Sequence, residues 1–416
     1  MTPPIEIVAR RAHPLGMPPA AFLRDYWQKR PLLVRGAFAQ FRDPLTPNDL
    51  AGLACEEMAL SRLVAHERKR DRWSLRNGPF SEDDFATLPK RDWTILVQDV
   101  DKWDADVAAL LDAFGFLPSW RIDDVMVSYA VDGGSVGAHV DQYDVFLLQG
   151  LGQRRWQISV DPNARKDFRD DADLKLLREF TPTHDWILEP GDMLYLPPGV
   201  PHHGVAIGEC LTYSIGMRAP SKAELLLDFA DALAEMLPEE LRLADPDLLP
   251  AKSDGEIDEA AMVRVVRAMP WLSIALDGKK KGKKNVGRTD GCSGSVDASM
   301  LRTWFLRFIT SYRSAHAAAP RPRRIGDSEF ARAFANGAEA LRNPWSRAAW
   351  TREGRDALLS VAGTGYRSSI AFARLVASRA AIPLDKVQST RDRDVLRSLI
   401  DAGHVTLTAG RRRSQR

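Results

Sequence analysis

The chain has 416 residues, 44% of them hydrophobic and 27% charged, with a net charge of +2. That length exceeds one ordinary core and calls for two or three globular domains, while the near-balanced charge offers no chain-wide attraction to nucleic acid. Cys55, Cys210 and Cys292 lie far apart without a CxxC pair, which argues against a disulfide framework or a cysteine zinc site and suits a reducing cytosol.

The opening MTPPIEIVARRAHPLGMPPA carries no apolar signal region, and no apolar run reaches the roughly eighteen residues of a membrane helix. The expectation is a soluble, cytoplasmic protein without a membrane partner. Next, PPAAFLRDYWQKRPLLVRGAF begins as a short amphipathic helix that Pro31 stops before the strand-like PLLVRG. From Trp93 to about Met217 the texture becomes a series of short β-type runs: WTILVQDV, DVMVSYAV, DVFLLQG, RRWQISV, DWILEPGDMLYLPPGV and CLTYSIGMR, separated by Gly, Pro and Asp turns. Many short strands at close spacing predict a sandwich or barrel.

At Ser221 the pattern turns helical. Ser221 and Glu224 have the capping-box form ahead of LLLDFADALAEML. A second helix, SMLRTWFLRFITSYR, carries the apolar stripe Leu301, Trp304, Phe305, Phe308 and Ile309. Between them DGKKKGKKNVGRTDGCSGS is polar, Gly-rich and basic, and reads as a mobile, solvated loop. After AAAPRPRR, short helical patterns closing on the strand-like HVTLTAG suggest a winged-helix type module, followed by the basic tail RRRSQR. The loop and the tail are the two places where direct nucleic-acid contact is conceivable.

Chemistry concentrates in two stretches. In GAHVDQYDVFLLQG, His139 and Asp141 sit at strand spacing and would face the same side. Two such groups aimed at an interior are costly unless something binds them, a metal or a plain mutual hydrogen bond. In LEPGDMLYLPPGVPHHGV, a further histidine arrives about sixty residues later on a separate strand. Two histidines and a carboxylate form the facial triad of non-haem iron(II) oxygenases, which leaves coordination positions open for a 2-oxo acid and dioxygen. Spacing alone does not choose between His202 and His203, since adjacent strand residues face opposite sides. A 2-oxo dicarboxylate also requires a cation. On RRWQISV, Arg154 shares its face with Trp156 and Ile158, so it points inward and requires an anion there, whereas Arg155 shares its face with Gln157 and Ser159.

These motifs, with WRIDDVMVSYAVDGGSVGAHVDQYDVFLLQGLGQRRWQI, YSIGMRAP and FLRDYWQKRPLLVRG, closely resemble the bacterial ribosomal oxygenases of the JmjC type. The resemblance is dense over residues 20–220. It implies an α+β, multi-domain chain: a double-stranded β-helix (cupin/JmjC) catalytic core over 1–219, a helical dimerisation domain over 220–318 with its basic loop near 278–295, and a winged-helix-like domain over 325–410. It implies hydroxylation by Fe(II), 2-oxoglutarate and O2 of an arginine in large-subunit ribosomal protein number sixteen. Histidine hydroxylation, demethylation of another protein and a non-catalytic metal-binding sensor are the rival functions. It assigns His202, with His139 and Asp141, to the metal. Arg154 takes the 2-oxoglutarate C5 carboxylate with Ser128 as a helper. Asp124, Met126, Tyr143 and Ser214 form the substrate pocket, and the middle helices a homodimer contact. The chain departs from the family pattern at His203, where an acidic residue is familiar, and at Thr212, where asparagine is.

Overall fold

The computed structural model describes residues 4–9, 14–238, 240, 242–246, 248, 259–268, 298–311 and 323–408. The basic loop 278–295 and the tail RRRSQR lie outside the described residues. Two compact units make up the chain: Met1–Pro220 together with Phe305–Arg416, and Ser221–Trp304.

The strands of the first part of the larger unit are β1 (Glu6–Val8), β2 (Leu32–Arg35), β3 (Ser61–Glu67), β4 (Arg72–Asn77), β5 (Trp93–Val97), β6 (Ile122–Ala130) and β7 (His139–Val140). They continue with β8 (Val145–Gln149), β9 (Gln153–Ile158), β10 (His184–Leu188), β11 (Met193–Leu196), β12 (Pro201–Ile207) and β13 (Cys210–Met217). They form a nine-stranded sheet, β1-β2-β11-β8-β13-β6-β5-β3-β4, and a four-stranded sheet, β10-β9-β12-β7. This is the double-stranded β-helix that the family resemblance implies, and it fits the sandwich or barrel read from the β-rich texture.

The continuous apolar runs have a simple cause, because the large sheet is covered on both faces. On β8, Phe146 and Leu148 enter a core with Phe22, Phe114 and Tyr195, while Val145 and Leu147 point the other way. There they meet Trp156 and Ile158 of the small sheet. Strand β11 repeats the division, with Met193 and Tyr195 on one side and Leu194 and Leu196 on the other. The hairpin β3–β4 is absent from the sequence-based reading. Its run SRLVAHERKRDRWSLRN is dense in charge because β4 is the sheet edge and mostly exposed.

Later strands are β14 (Glu339–Arg342), β15 (Ala348–Glu353), β16 (Asp356–Val361), β17 (Thr364–Ser368), β18 (Ile382–Pro383) and β19 (Val405–Thr408). They form two three-stranded sheets, packed with helices Ile370–Ala377 and Thr390–Asp401 around their own core. This is the winged-helix region, with more β structure than the single late strand read from sequence.

In the smaller unit, helix Lys222–Ala234 starts at Ser221 with a complete capping box to Glu224. Trp304 Nε1 donates to Asp228 at 2.8 Å, and the Trp304 ring meets Phe229 edge-on at 4.8 Å. Leu226, Leu227 and Leu301 stay exposed, at 68%, 70% and 45%. The other half of the predicted stripe is used inside the larger unit, where Phe308 and Ile309 are buried and Phe305 packs edge-on against Trp120. No helix among the described residues is long and apolar enough to cross a membrane.

Candidate active site

One cavity between the two sheets is lined by every residue that the resemblance assigns to the metal, the co-substrate or the substrate. Its small-sheet wall begins with a cross-strand pair. β12 runs antiparallel to β7 with His202 opposite His139, which sets the rings 4.2 Å apart, centroid to centroid. Strand β7 ends at Val140, so Asp141 reaches the site from the bend that follows rather than from a strand. The Gly199 N–H donates to its carbonyl at 2.8 Å and fixes that bend.

Each imidazole is oriented by backbone. Nδ1–H of His139 donates to the Gly137 carbonyl and Nδ1–H of His202 to the Val200 carbonyl, both at 2.9 Å. A carbonyl can only accept, so the proton is on Nδ1 and the lone pair on Nε2. The two Nε2 atoms lie 3.9 Å and 3.6 Å from the Asp141 carboxylate oxygens. All three ligand atoms fall within 4.8 Å of one another. Those gaps are too long for hydrogen bonds, so the plain-pair explanation fails and three acceptors converge on a point that suits a cation. Burial raises the Asp141 pKa, whereas burial and the neighbouring His139 hold His202 well below the usual imidazole range. His203 faces elsewhere, against Phe180 at 6.2 Å, and stands outside the cluster; burial lowers its pKa to about 4.

Across the cavity, Arg154 is 6% exposed. Its Nη1 donates to Ser128 Oγ at 3.4 Å, while Nε and Nη2 are buried without a hydrogen-bond partner among the described residues. A permanently charged fork with two idle donors fits a carboxylate, so the residues present suit a 2-oxo dicarboxylate between Arg154 and the His–Asp–His cluster. The face argument holds in the geometry. Arg155 points outward and pairs with Asp185. Thr212 lies opposite Ser128, but its hydroxyl donates to Gln149 Oε1 at 3.2 Å rather than into the cavity.

The remaining wall is β6 and β13. Asp124, Met126 and Ser128 alternate onto one face of β6, and Ser214 lies opposite Met126. Gly216 lies opposite Asp124, where an added Cβ would stand 3.1 Å from Asp124 Oδ1. Burial raises the Asp124 carboxyl to about 7, despite the cation of Lys102. Tyr143, in the same bend as Asp141, is 41% exposed at the mouth. Sequence reasoning missed Arg62 on β3, whose Nη2 sits 3.9 Å from Met126 Sδ, and Gln98 and Thr94 in the lining. The alternation within SRLVAHE was the available signal for Arg62.

This fold and this residue set define a JmjC-domain protein of the oxygenase kind. The family profile described as JmjC domain matches residues 109–225, and one described as ROXA-like winged helix matches 296–406. Ribosomal protein uL16 3-hydroxylase from Escherichia coli is 42% identical over 236 residues, 57% of this chain and 62% of that protein. An X-ray structure of E. coli YcfD matches with 32% identity over 95% of this chain and 99% of that one, at TM-score 0.76. A structure of YcfD, a ribosomal oxygenase from E. coli, in complex with cobalt and 2-oxoglutarate matches at TM-score 0.73 and 31% identity, over 94% of this chain and 99% of that one. The chain belongs to the JmjC-type ribosomal oxygenases.

Proposed function

We propose that this protein is an Fe(II)- and 2-oxoglutarate-dependent hydroxylase acting on an arginine side chain of large-subunit ribosomal protein uL16. One observation carries the reading. Three converging acceptor atoms share a cavity with a buried guanidinium whose Nε and Nη2 have no partner. When bound, iron with 2-oxoglutarate and O2 supplies the oxidation of an unactivated C–H bond to C–OH, the oxo acid leaving as succinate and CO2.

The chain's own residues do the rest. His139, Asp141 and His202 would hold the metal, the two imidazole tautomers kept ready by the Gly137 and Val200 carbonyls. Arg154 takes the distal carboxylate in its fork, and the Ser128 hydroxyl is a further donor there. Asp124 receives the substrate guanidinium, Tyr143 stacks on its plane at the mouth, and Met126 and Ser214 shape the channel. A carboxylate matches a guanidinium fork and discriminates poorly for a neutral imidazole, which favours arginine over histidine. The name of the E. coli relative supports uL16 as the protein that carries it.

A cytoplasmic homodimer belongs to the same reading, supported by the exposed Leu226, Leu227 and Leu301 of the middle helices. The domain limits 1–219, 220–318 and 325–410 are proposed with it. Mass spectrometry of ribosomal proteins from cells with and without the gene tests the whole. The expected result is a gene-dependent gain of one oxygen on an arginine of uL16. A gain on histidine would overturn the arginine assignment, and no gain on any ribosomal protein would remove the ribosome.

A further inference from the structure

Strand β6 is paired on only one side where Asp124 stands. Strand β5 pairs with it only from Ala130 back to Val127, so among the described residues the edge from Met126 to Ile122 on that side has no strand beside it. Side chains take the place of the missing strand. The Val125 N–H donates to Asp101 Oδ1 at 2.8 Å. The Asp123 carbonyl accepts from Lys102 Nζ at 3.1 Å and from Arg347 Nη2 at 3.2 Å. The Asp124 carboxylate itself accepts from the Asp99 N–H at 3.1 Å.

Two cations tie this brace together. Lys102, on the short helix Val100–Trp103, has a side chain only 7% exposed, with Nζ 2.8 Å from Asp101 and 3.2 Å from Asp99. Arg347 comes from the winged-helix region, on the turn between β14 and β15, and also pairs with the Asp123 carboxylate, which Arg218 approaches at 3.9 Å. Trp345 in the same turn meets Trp103 edge-on at 5.9 Å. Both regions belong to one compact unit. The winged-helix turn therefore grips the residue immediately before Asp124 and the helix that carries Lys102.

We propose that Arg347, acting with buried Lys102, is a positioning residue for substrate binding, and that the winged-helix region is an arm of the substrate site through the brace it closes on Asp123 and Asp124. The inference rests on the reading of Asp124 as the carboxylate that meets the substrate cation. The charges around Asp124 give it a second readout. Lys102 draws its carboxyl down, while Asp99, Asp101 and Asp123 push it up, burial being the largest cause of its value of about 7. Tyr143 feels the charges of Asp124 and Arg62, and Arg379 feels that of Asp101. Without Arg347 the negative charge of Asp123 loses its nearest partner, so Asp124 holds its proton to higher pH.

The test uses the full-length chain and a synthetic arginine-containing peptide from uL16, with KM and kcat measured from pH 6 to 9. Arg347→Ala is expected to raise the peptide KM roughly three- to tenfold, the range for residues that couple through a packed network. It should leave the 2-oxoglutarate KM and peptide-independent succinate release unchanged, and move the midpoint of the peptide KM profile upward. Arg347→Lys should recover most of the KM. Adding Asp123→Asn to Arg347→Ala should bring the midpoint back down, because the uncompensated charge is gone. Lys102→Met endangers folding by stranding two buried carboxylates, which is why the test is placed on Arg347. A wild-type peptide KM and midpoint in Arg347→Ala, with Asp124→Asn impaired, would overturn this proposal alone. An unimpaired Asp124→Asn would overturn the reading of Asp124 and this proposal with it.

Discussion

Replacing Arg154 with methionine should weaken 2-oxoglutarate and at the same time strengthen the protein that lacks it. The side chain is 6% exposed, its Nη1 has only a 3.4 Å bond to Ser128, and Nε and Nη2 are idle. Without the dicarboxylate the molecule therefore carries a buried, largely unsatisfied charge. Methionine fills similar space without that cost, and exchanges of this kind gain about 1–4 kcal/mol, several degrees in Tm for a unit of this size. With the dicarboxylate the sign reverses. Loss of a desolvated charge pair costs about 2–5 kcal/mol, a rise in the 2-oxoglutarate KM of roughly thirtyfold to several thousandfold. Thermal denaturation with and without 2-oxoglutarate reads the first effect, and succinate release against 2-oxoglutarate concentration the second. Arg155→Met is the control, because its pair with Asp185 is exposed and screened by solvent. Equal, small KM changes in the two variants would refute the reasoning, as would an Arg154→Met protein still stabilised by 2-oxoglutarate as well as wild type.

Asp141→Ala and His202→Ala should each abolish cobalt or iron binding and turnover with far-ultraviolet circular dichroism unchanged, while His203→Ala keeps the metal; the opposite pattern in a cobalt absorbance titration would reverse the ligand assignment. Asp124 titrates at about 7 because burial disfavours its charged form, so it becomes a carboxylate above that value. The peptide KM should accordingly fall as pH rises from 6 to 8, and Asp124→Asn should flatten that limb; a KM independent of pH in the wild type would count against Asp124. Gly204 lies opposite Trp156, and a Cβ there would come within 2.7 Å of the indole ring. Gly204→Ala should therefore cost about 1–3 kcal/mol by urea unfolding and raise the 2-oxoglutarate KM by displacing the ring beside Arg154. Sedimentation at micromolar concentration should show a dimer, reduced to monomer by Leu226→Glu with Leu227→Glu; a wild-type monomer would end that proposal.

Local sequence determined whatever depends on a repeat of two or on a cap. The strand runs from Trp93 to Met217, the inward face of Arg154 and the outward face of Arg155, and the Ser221 cap all follow from residues within a few positions of one another. The HxD spacing and the later histidines marked the metal chemistry, but they left His202 and His203 equivalent, because parity alone does not say which face is the interior. The pairing of β12 with β7 brings His202, and not His203, opposite His139. Tertiary structure also decided what no local pattern contains. Asp141 and Tyr143 enter the site from a bend, not from a continued strand, because β7 ends at Val140. The charged run of β3 and β4 reads as loop until the sheet edge accounts for it, and with it Arg62 was lost. Lys102 looks like an ordinary surface lysine in sequence. Its partners are Asp99, Asp101 and the Asp123 carbonyl of a strand twenty residues away, and that carbonyl also accepts from Arg347 on a winged-helix turn more than two hundred residues downstream. Such a site is set by long-range packing, which decides which polar groups lose their water and must find each other instead.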